Sequence, residues 1–246
     1  MPNKKIEELQ EHLDDSTMPL EVRKKLLLEI HEHNLKFGAY KKFIKNFDDW
    51  LKKNNLYQKK IKILELGPGA GGMCEALHNW GKEKDIELEL HGLDVSQDIT
   101  DWQKSRLSKL NISFNTHLAG DQYLKQFSDN KFDFVISFHV LHHIHPYNTM
   151  YEALRDSLRV SRKGLFAIDI DKRPFTYTLT KIWNKINGIS EMLNHDGLVS
   201  VKRSYKRKDM HKTARRLSQQ YYINYECKRL FLIPYYRLGL CFKNNL

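Results

Sequence analysis

The stretch that most constrains this chain is Ile61-Lys62-Ile63-Leu64-Glu65-Leu66-Gly67-Pro68-Gly69-Ala70-Gly71-Gly72. A short apolar run ends at an acidic residue, and a glycine-rich turn follows. Met73, Ala76, Leu77 and Trp80 then recur on one face of a helix. Strand, glycine turn and helix in this order make the ligand-facing corner of an α/β unit, because glycine adopts backbone angles closed to other residues and lets a ligand reach the main chain. The spacing Gly67-x-Gly69-x-x-Gly72 also fits a dinucleotide fingerprint. Glu65 opposes that reading. Two residues before the first glycine, its carboxylate repels a pyrophosphate and attracts a cationic amino-acid group.

Further strands follow at α/β spacing. Glu87–Asp94 alternates before entering the sheet, and Asp94 lies 27 positions after Gly67. That is near the interval at which an acidic residue binds a ribose diol, since a carboxylate accepts both hydroxyl protons. Capping of the next helix falls more naturally to Ser96. A third strand around Ser113–Ala119 ends at Gly120-Asp121, a pair that is also common in turns. Phe132–Phe138 is continuously apolar, as a central strand buried on both faces should be. Gly164–Asp171 makes a fifth strand. Residues 221–231 and 235–243 read as a closing hairpin, after a helix over 209–220.

On Glu65, Gly67, Gly69 and Gly71 the chain resembles the class I S-adenosylmethionine-dependent methyltransferases, whose first motif is an acidic residue followed by Gly-x-Gly-x-Gly. The resemblance covers roughly residues 56–246. It implies a Rossmann-like α/β fold: a seven-stranded sheet with the last strand reversed, a helical cap over 1–55 and an insertion over 172–208 that builds the substrate pocket. It also implies S-adenosylmethionine as cofactor. The methionine half would lie beside Glu65, Gly67, Gly69 and Gly71, the ribose beside Asp94, and the adenine amino group at Asp121. Val95, Gly120 and Phe138 are counted with that set. His139-Val140-Leu141-His142-His143-Ile144-His145-Pro146 resembles the Leu-His-His passage of the ubiquinone and menaquinone methyltransferases. Asn194-His195-Asp196-Gly197 with Ser200 and Arg203 resembles bacterial small-molecule methyltransferases, some tied to polyketide or lipid pathways.

Methyl transfer from a sulfonium is an in-line displacement, so the protein mainly aligns the acceptor and excludes water. A hydroxyl acceptor must also lose a proton, for which histidine is suited near neutral pH. His139, His142, His143 and His195 are therefore the catalytic candidates. Each could equally cap or pack a helix. Their spacing is not a recognised metal-ligand pattern and no cysteine assists, so no metal site is expected.

The cap is helical by period. Ile6, Leu9 and Leu13 share a face, Pro19 suits the first turn of a second helix, and Gly38 can stop that helix. Tyr40, Phe43, Phe47 and Trp50 form an aromatic stripe, readable as core, as a lid over the ligand, or as both.

A formal charge of +11 favours anionic surroundings. Eight lysines and arginines crowd residues 200–216, from Lys202 to Arg216. They fit a solvated helix face, a nucleic-acid contact or the rim around a phosphorylated or lipid-like substrate. Against nucleobase amines, the fourth strand exits through Ser137-Phe138-His139-Val140 and lacks the Asp/Asn-Pro-Pro-Tyr motif. Cys74, Cys227 and Cys241 are widely spaced, and no run reaches the roughly 18 apolar residues of a membrane span. A cytoplasmic enzyme acting on a small or lipid-like acceptor, most simply at oxygen, is the expectation. An RNA methyltransferase and a non-catalytic cofactor-binding relative stand as alternatives.

Overall fold

The computed structural model describes residues 9–120, 123–230 and 234–243. Strand β1 (Lys60–Leu66) is central, paired in parallel with β2 (Glu87–Asp94) on one side and β4 (Phe132–Phe138) on the other. β3 (Asn115–Leu118) extends the sheet beyond β2, and β5 (Ser161–Ile170) beyond β4. β6 (Asn224–Arg229) and β7 (Tyr235–Cys241) form an antiparallel hairpin whose β7 arm lies antiparallel on β5. The order β3-β2-β1-β4-β5-β7-β6 is the Rossmann-like seven-stranded arrangement expected, with β7 reversed between β5 and β6. Carboxyl ends of the parallel strands thus share one edge, where a ligand crevice belongs.

The side-chain period of two along β1 divides the core. Leu64 and Leu66 face α5 (Tyr147–Val160) and α8 (Arg207–Tyr221), among Leu154, Met210 and Leu217. Ile61 and Ile63 face the opposite layer with α3 (Gly72–Lys84) and α2 (Ala39–Lys53). Glu65 shares parity with the second pair and is buried at the strand's end.

Helix α2 decides the status of the aromatic stripe. Phe43 and Phe47 are fully buried and Trp50 nearly so. The Phe47 ring lies 5.4 Å from Phe166 and 5.7 Å from Phe134, both on the sheet, and Trp50 lies 5.3 Å from Phe166. Each such side chain contributes roughly 1.5–3 kcal/mol by burial, so α2 is part of the body. Strand β7 makes room for the indole: a Cβ on Gly239 would stand 2.4 Å from Trp50 Nε1. Gly38, at φ +65°, turns the chain between α1 (Leu20–Lys36) and α2.

Two local expectations change. Ile6 lies outside the described residues, and the segment carrying Leu9 and Leu13 is not an α-helix; a short 3-10 turn spans His12–Asp14. The 172–208 insertion, for its part, holds α6 (Thr176–Ile186) and α7 (Glu191–Arg203). Tyr221 ends α8 and Tyr222 takes a left-handed conformation (φ 54°), so β6 starts only at Asn224. Aromatic residues favour strands in isolation, but a left-handed residue just past a helix satisfies its last carbonyls. Among the described residues no helix is long and apolar enough to cross a membrane.

Candidate functional site

The glycine turn follows β1 directly. Gly67, Gly69 and Gly71 all have positive φ (57°, 55° and 82°). Gly67 also admits its neighbour: a Cβ there would sit 2.8 Å from Val140 Cγ2, just past β4. Helix α4 (Gln97–Lys109) braces the turn. Gln103 Nε2 donates to Gly69 O (2.5 Å), and Arg106 donates to Ala70 O (2.9 Å) and to Glu75. Helices α1 and α2 close over it. A Cβ on Gly72 would stand 2.3 Å from His31 Nδ1 and 2.4 Å from Tyr40 Oη, and one on Gly69 would meet Leu27.

Glu65 Oε2 is buried without a hydrogen-bond partner among the described residues. Burial, with a smaller contribution from Asp94, pushes its carboxyl up to about 8. An orphaned carboxyl beside the glycine turn suits a cation. Asp94, at the end of β2, accepts from Ser96 N (3.2 Å) and, more weakly, from Gln103 Nε2 (3.3 Å). Burial raises its pKa, partly countered by those donors. Ser96 caps α4, as its type predicts, so the Asp94 carboxylate is not the cap. Val95 projects outward, 73% exposed, beside it. Gly120 follows β3, and Asp121 lies outside the described residues. Glu65, Asp94 and the three glycines together suit a ligand carrying both an ammonium group and a vicinal diol.

The four candidate histidines separate into three settings. His139 leaves β4 with φ 57°, its N–H bonded to Ile168 O (3.0 Å). Its ring lies between Phe138 (centroids 4.0 Å) and Tyr235 (4.6 Å), and its Nε2 is buried without a partner among the described residues. Burial pushes its pKa down to about 4, with only partial opposition from Asp169. The imidazole is neutral near pH 7.

His142 is buried against β5. Its Nδ1–H donates to Asp169 Oδ1 at 2.7 Å, and its Nε2 faces Glu11 Oε1 at 3.8 Å. Burial lowers its pKa, but the Asp169 carboxylate and then Glu11 outweigh that and hold it above the ordinary value. His143 donates from Nδ1 to Asp14 Oδ1 (3.1 Å) and points Nε2 at Glu11 Oε2 (3.8 Å). His195 stands on α7, half exposed, with Nδ1 3.0 Å from Asp196 Oδ1. The same carboxylate oxygen accepts His12 Nδ1–H at 2.7 Å.

Sequence reasoning missed Glu11, His12 and Asp14. They lie in the segment before α1 yet touch three of the four histidines. It also missed Arg203 as a structural residue: the guanidinium is buried, bonded to Asp14 and to His143 O (3.1 Å). Asp14 is correspondingly held below the usual carboxylate range, because His143 and Arg203 outweigh its burial. Arg207 likewise donates to Cys227 O (3.3 Å), so the 200–216 cluster is only partly a solvated face. The one cue in sequence was the acidic content of Glu11 to Asp15, which looks like ordinary surface.

Residues 64–168 match the methyltransferase domain family. Solved structures that share the fold include the plantazolicin methyltransferase BpumL in complex with SAH, at TM-score 0.63 and 13% identity, covering 91% of this chain and 96% of that one. A putative S-adenosyl-L-methionine-dependent methyltransferase from Methanococcus maripaludis aligns at TM-score 0.58 and 13% identity, over 94% of this chain and 99% of that one. A SAM-dependent methyltransferase from Aquifex aeolicus aligns at 0.51 and 14%, over 79% and 88%. At such identities the likeness is one of fold. No curated protein matches the sequence.

Proposed function

We propose, from the premise that this chain carries a methyltransferase domain on the class I S-adenosylmethionine-dependent fold, that it methylates a hydroxyl of a small, largely apolar acceptor. When bound, S-adenosylmethionine supplies the activated methyl group. Glu65 meets its ammonium, the main chain at Gly67, Gly69 and Gly71 lies along its methionine half, and Asp94 receives the ribose hydroxyls. The orphaned Oε2 of Glu65 supports this fit independently of any resemblance.

The observation that carries the acceptor reading is His139. A neutral, half-buried imidazole whose Nε2 is buried and unpartnered among the described residues leaves β4 beside Val140, which itself packs on Gly67. A neutral imidazole has one lone-pair nitrogen, able to accept a hydroxyl proton as the methyl group is transferred. Phe138 and Tyr235 flank it with apolar ring surface. On the insertion, Phe175, Leu179, Ile182, Trp183 and Ile186 stand exposed, which supports a flat or lipid-like acceptor approaching from that side. In this reading residues 1–55 cover the site, with α2 fixed to the body by its aromatic face, and 172–208 form the acceptor side. His142, His143 and His195 position the cap segment. Free thiols at Cys74, Cys227 and Cys241 support a cytoplasmic setting.

The test is transfer of a radiolabelled methyl group from S-adenosylmethionine to a panel of phenols, hydroxylated quinone precursors and hydroxy fatty acids, with bulk RNA in parallel. His139→Ala should lower turnover by about 10²–10⁴ while leaving cofactor affinity intact. Labelling of RNA alone, or turnover indifferent to His139→Ala, would refute the acceptor reading.

A further inference from the structure

We infer that Glu11, His142 and His143 form a binding site for a divalent first-row transition-metal ion, joining the segment before α1 to the loop after β4. The argument rests on how the side chains face one another. His142 Nε2 lies 3.8 Å from Glu11 Oε1, and His143 Nε2 lies 3.8 Å from Glu11 Oε2. Both separations are too long for a hydrogen bond. They suit a shared ion instead: ligand atoms each about 2.1 Å from a metal stand roughly 3.0–3.5 Å apart at right-angled to tetrahedral geometry. The ligating atoms all lie within 4.8 Å of one another, so a shift of less than about 1 Å per ligand closes the site.

A second observation is independent of that gap. Each histidine has its other ring nitrogen engaged by a carboxylate, His142 Nδ1 by Asp169 (2.7 Å) and His143 Nδ1 by Asp14 (3.1 Å). This is how metal-binding imidazoles are held, since the outer hydrogen bond places the proton on Nδ1 and leaves the Nε2 lone pair free for a cation. Charge points the same way. Arg203 answers Asp14, but among the described residues Glu11 forms no ion pair with a lysine or arginine; its Oε1 accepts the Ser200 hydroxyl at 2.9 Å, and its nearest charged partners are the two imidazoles. Two imidazoles and one carboxylate form a donor set for zinc, iron(II) or cobalt(II), and poorly suit magnesium or calcium. His143 and Asp14, about 30% exposed, give an ion access.

The neighbouring cluster of His12, His195 and Asp196 shows the contrast. There both imidazoles reach a single carboxylate oxygen at 2.7 and 3.0 Å, and the His12 backbone N–H bonds it too (2.8 Å). That oxygen already accepts three direct hydrogen bonds, which an ion would have to displace. Sequence spacing could not reveal the first cluster, because its carboxylate arrives from 131 positions upstream.

The experiment uses the full chain, stripped with chelator and titrated with Co²⁺ as a spectroscopic probe, then with Zn²⁺ against a chromophoric chelator. One equivalent of Co²⁺ should bind with ligand-field bands of a low-coordinate nitrogen–oxygen site, and Zn²⁺ should displace it. The isosteric Glu11→Gln and the partly exposed His143→Ala should each abolish the bands, and Asp169→Asn should weaken binding by about 10–100-fold. His195→Ala should leave them unchanged. Absence of stoichiometric Co²⁺ or Zn²⁺ binding by the wild-type chain would overturn the inference, leaving the cluster an ionic seam. Bands lost with His195→Ala but kept in Glu11→Gln would overturn it as well. Neither readout depends on methyl transfer.

Discussion

Replacing Glu65 by glutamine separates what the fold tolerates from what the ligand requires. Glu65 is 4% exposed, and its carboxyl sits at about 8 in the folded chain against 4.5 for an ordinary glutamate. A folded value above the unfolded one means that the folded protein binds this proton more tightly. The resulting stabilisation is complete below about pH 4.5 and is lost as pH rises through 8. At 1.36 kcal/mol per pH unit, the wild-type chain loses about 4 kcal/mol between pH 5 and pH 8.5 from this group. The Glu65→Gln side chain carries no charge, so the variant should lack that slope. Its unpaired amide costs about 1–3 kcal/mol at every pH, which offsets much of the gain near neutrality. For a chain of this size, 4 kcal/mol is on the order of 10 °C in melting temperature. The assay is thermal unfolding of both cofactor-free proteins at pH 5 and 8.5. Parallel pH dependences would refute the burial argument. Calorimetry in two buffers of different ionisation enthalpy supplies the functional half: S-adenosylmethionine binding to the wild type at pH 7 should release close to one proton, as its ammonium ionises Glu65. The variant should release none and bind about 10- to 150-fold more weakly.

Asp94→Ala should weaken S-adenosylmethionine by one charge-assisted contact, about 1.5–3 kcal/mol, measured by the same calorimetry; unchanged affinity would remove Asp94 from the ribose. Phe47→Ala should cost about 3–5 kcal/mol in urea unfolding, because α2 anchors through it to Phe134 and Phe166; a loss below about 1 kcal/mol would mean that α2 is a detachable lid.

Much of this molecule was legible because its signals are local. Glu65 and the three glycines occupy one short stretch whose backbone demands are visible in their types, and Asp94 follows one strand later at a distance set by a single β-α-β unit. Tyr40, Phe43, Phe47 and Trp50 announce one buried helix face by period alone. In residues 172–208 it was burial that was hard to read, because α6 displays apolar side chains to solvent and so breaks the link between hydrophobic period and burial. Tyr221 and Tyr222 misled for a related reason: strand propensity is weak beside the capping requirements of a helix end.

The sequence by itself determined the sheet, the glycine turn and the placement of Glu65 and Asp94 at the carboxyl ends of their strands, since each depends on neighbours within one supersecondary unit. Only the tertiary structure decided what the histidines are. Four imidazoles within seven residues look equivalent in sequence. Folding leaves the His139 nitrogen unpartnered, pairs His142 with Asp169 from the next strand, and sets His142 and His143 around Glu11 from a segment 131 positions away. An imidazole's protonation and ligand role follow from the charges and burial around it, and those are assembled across the chain.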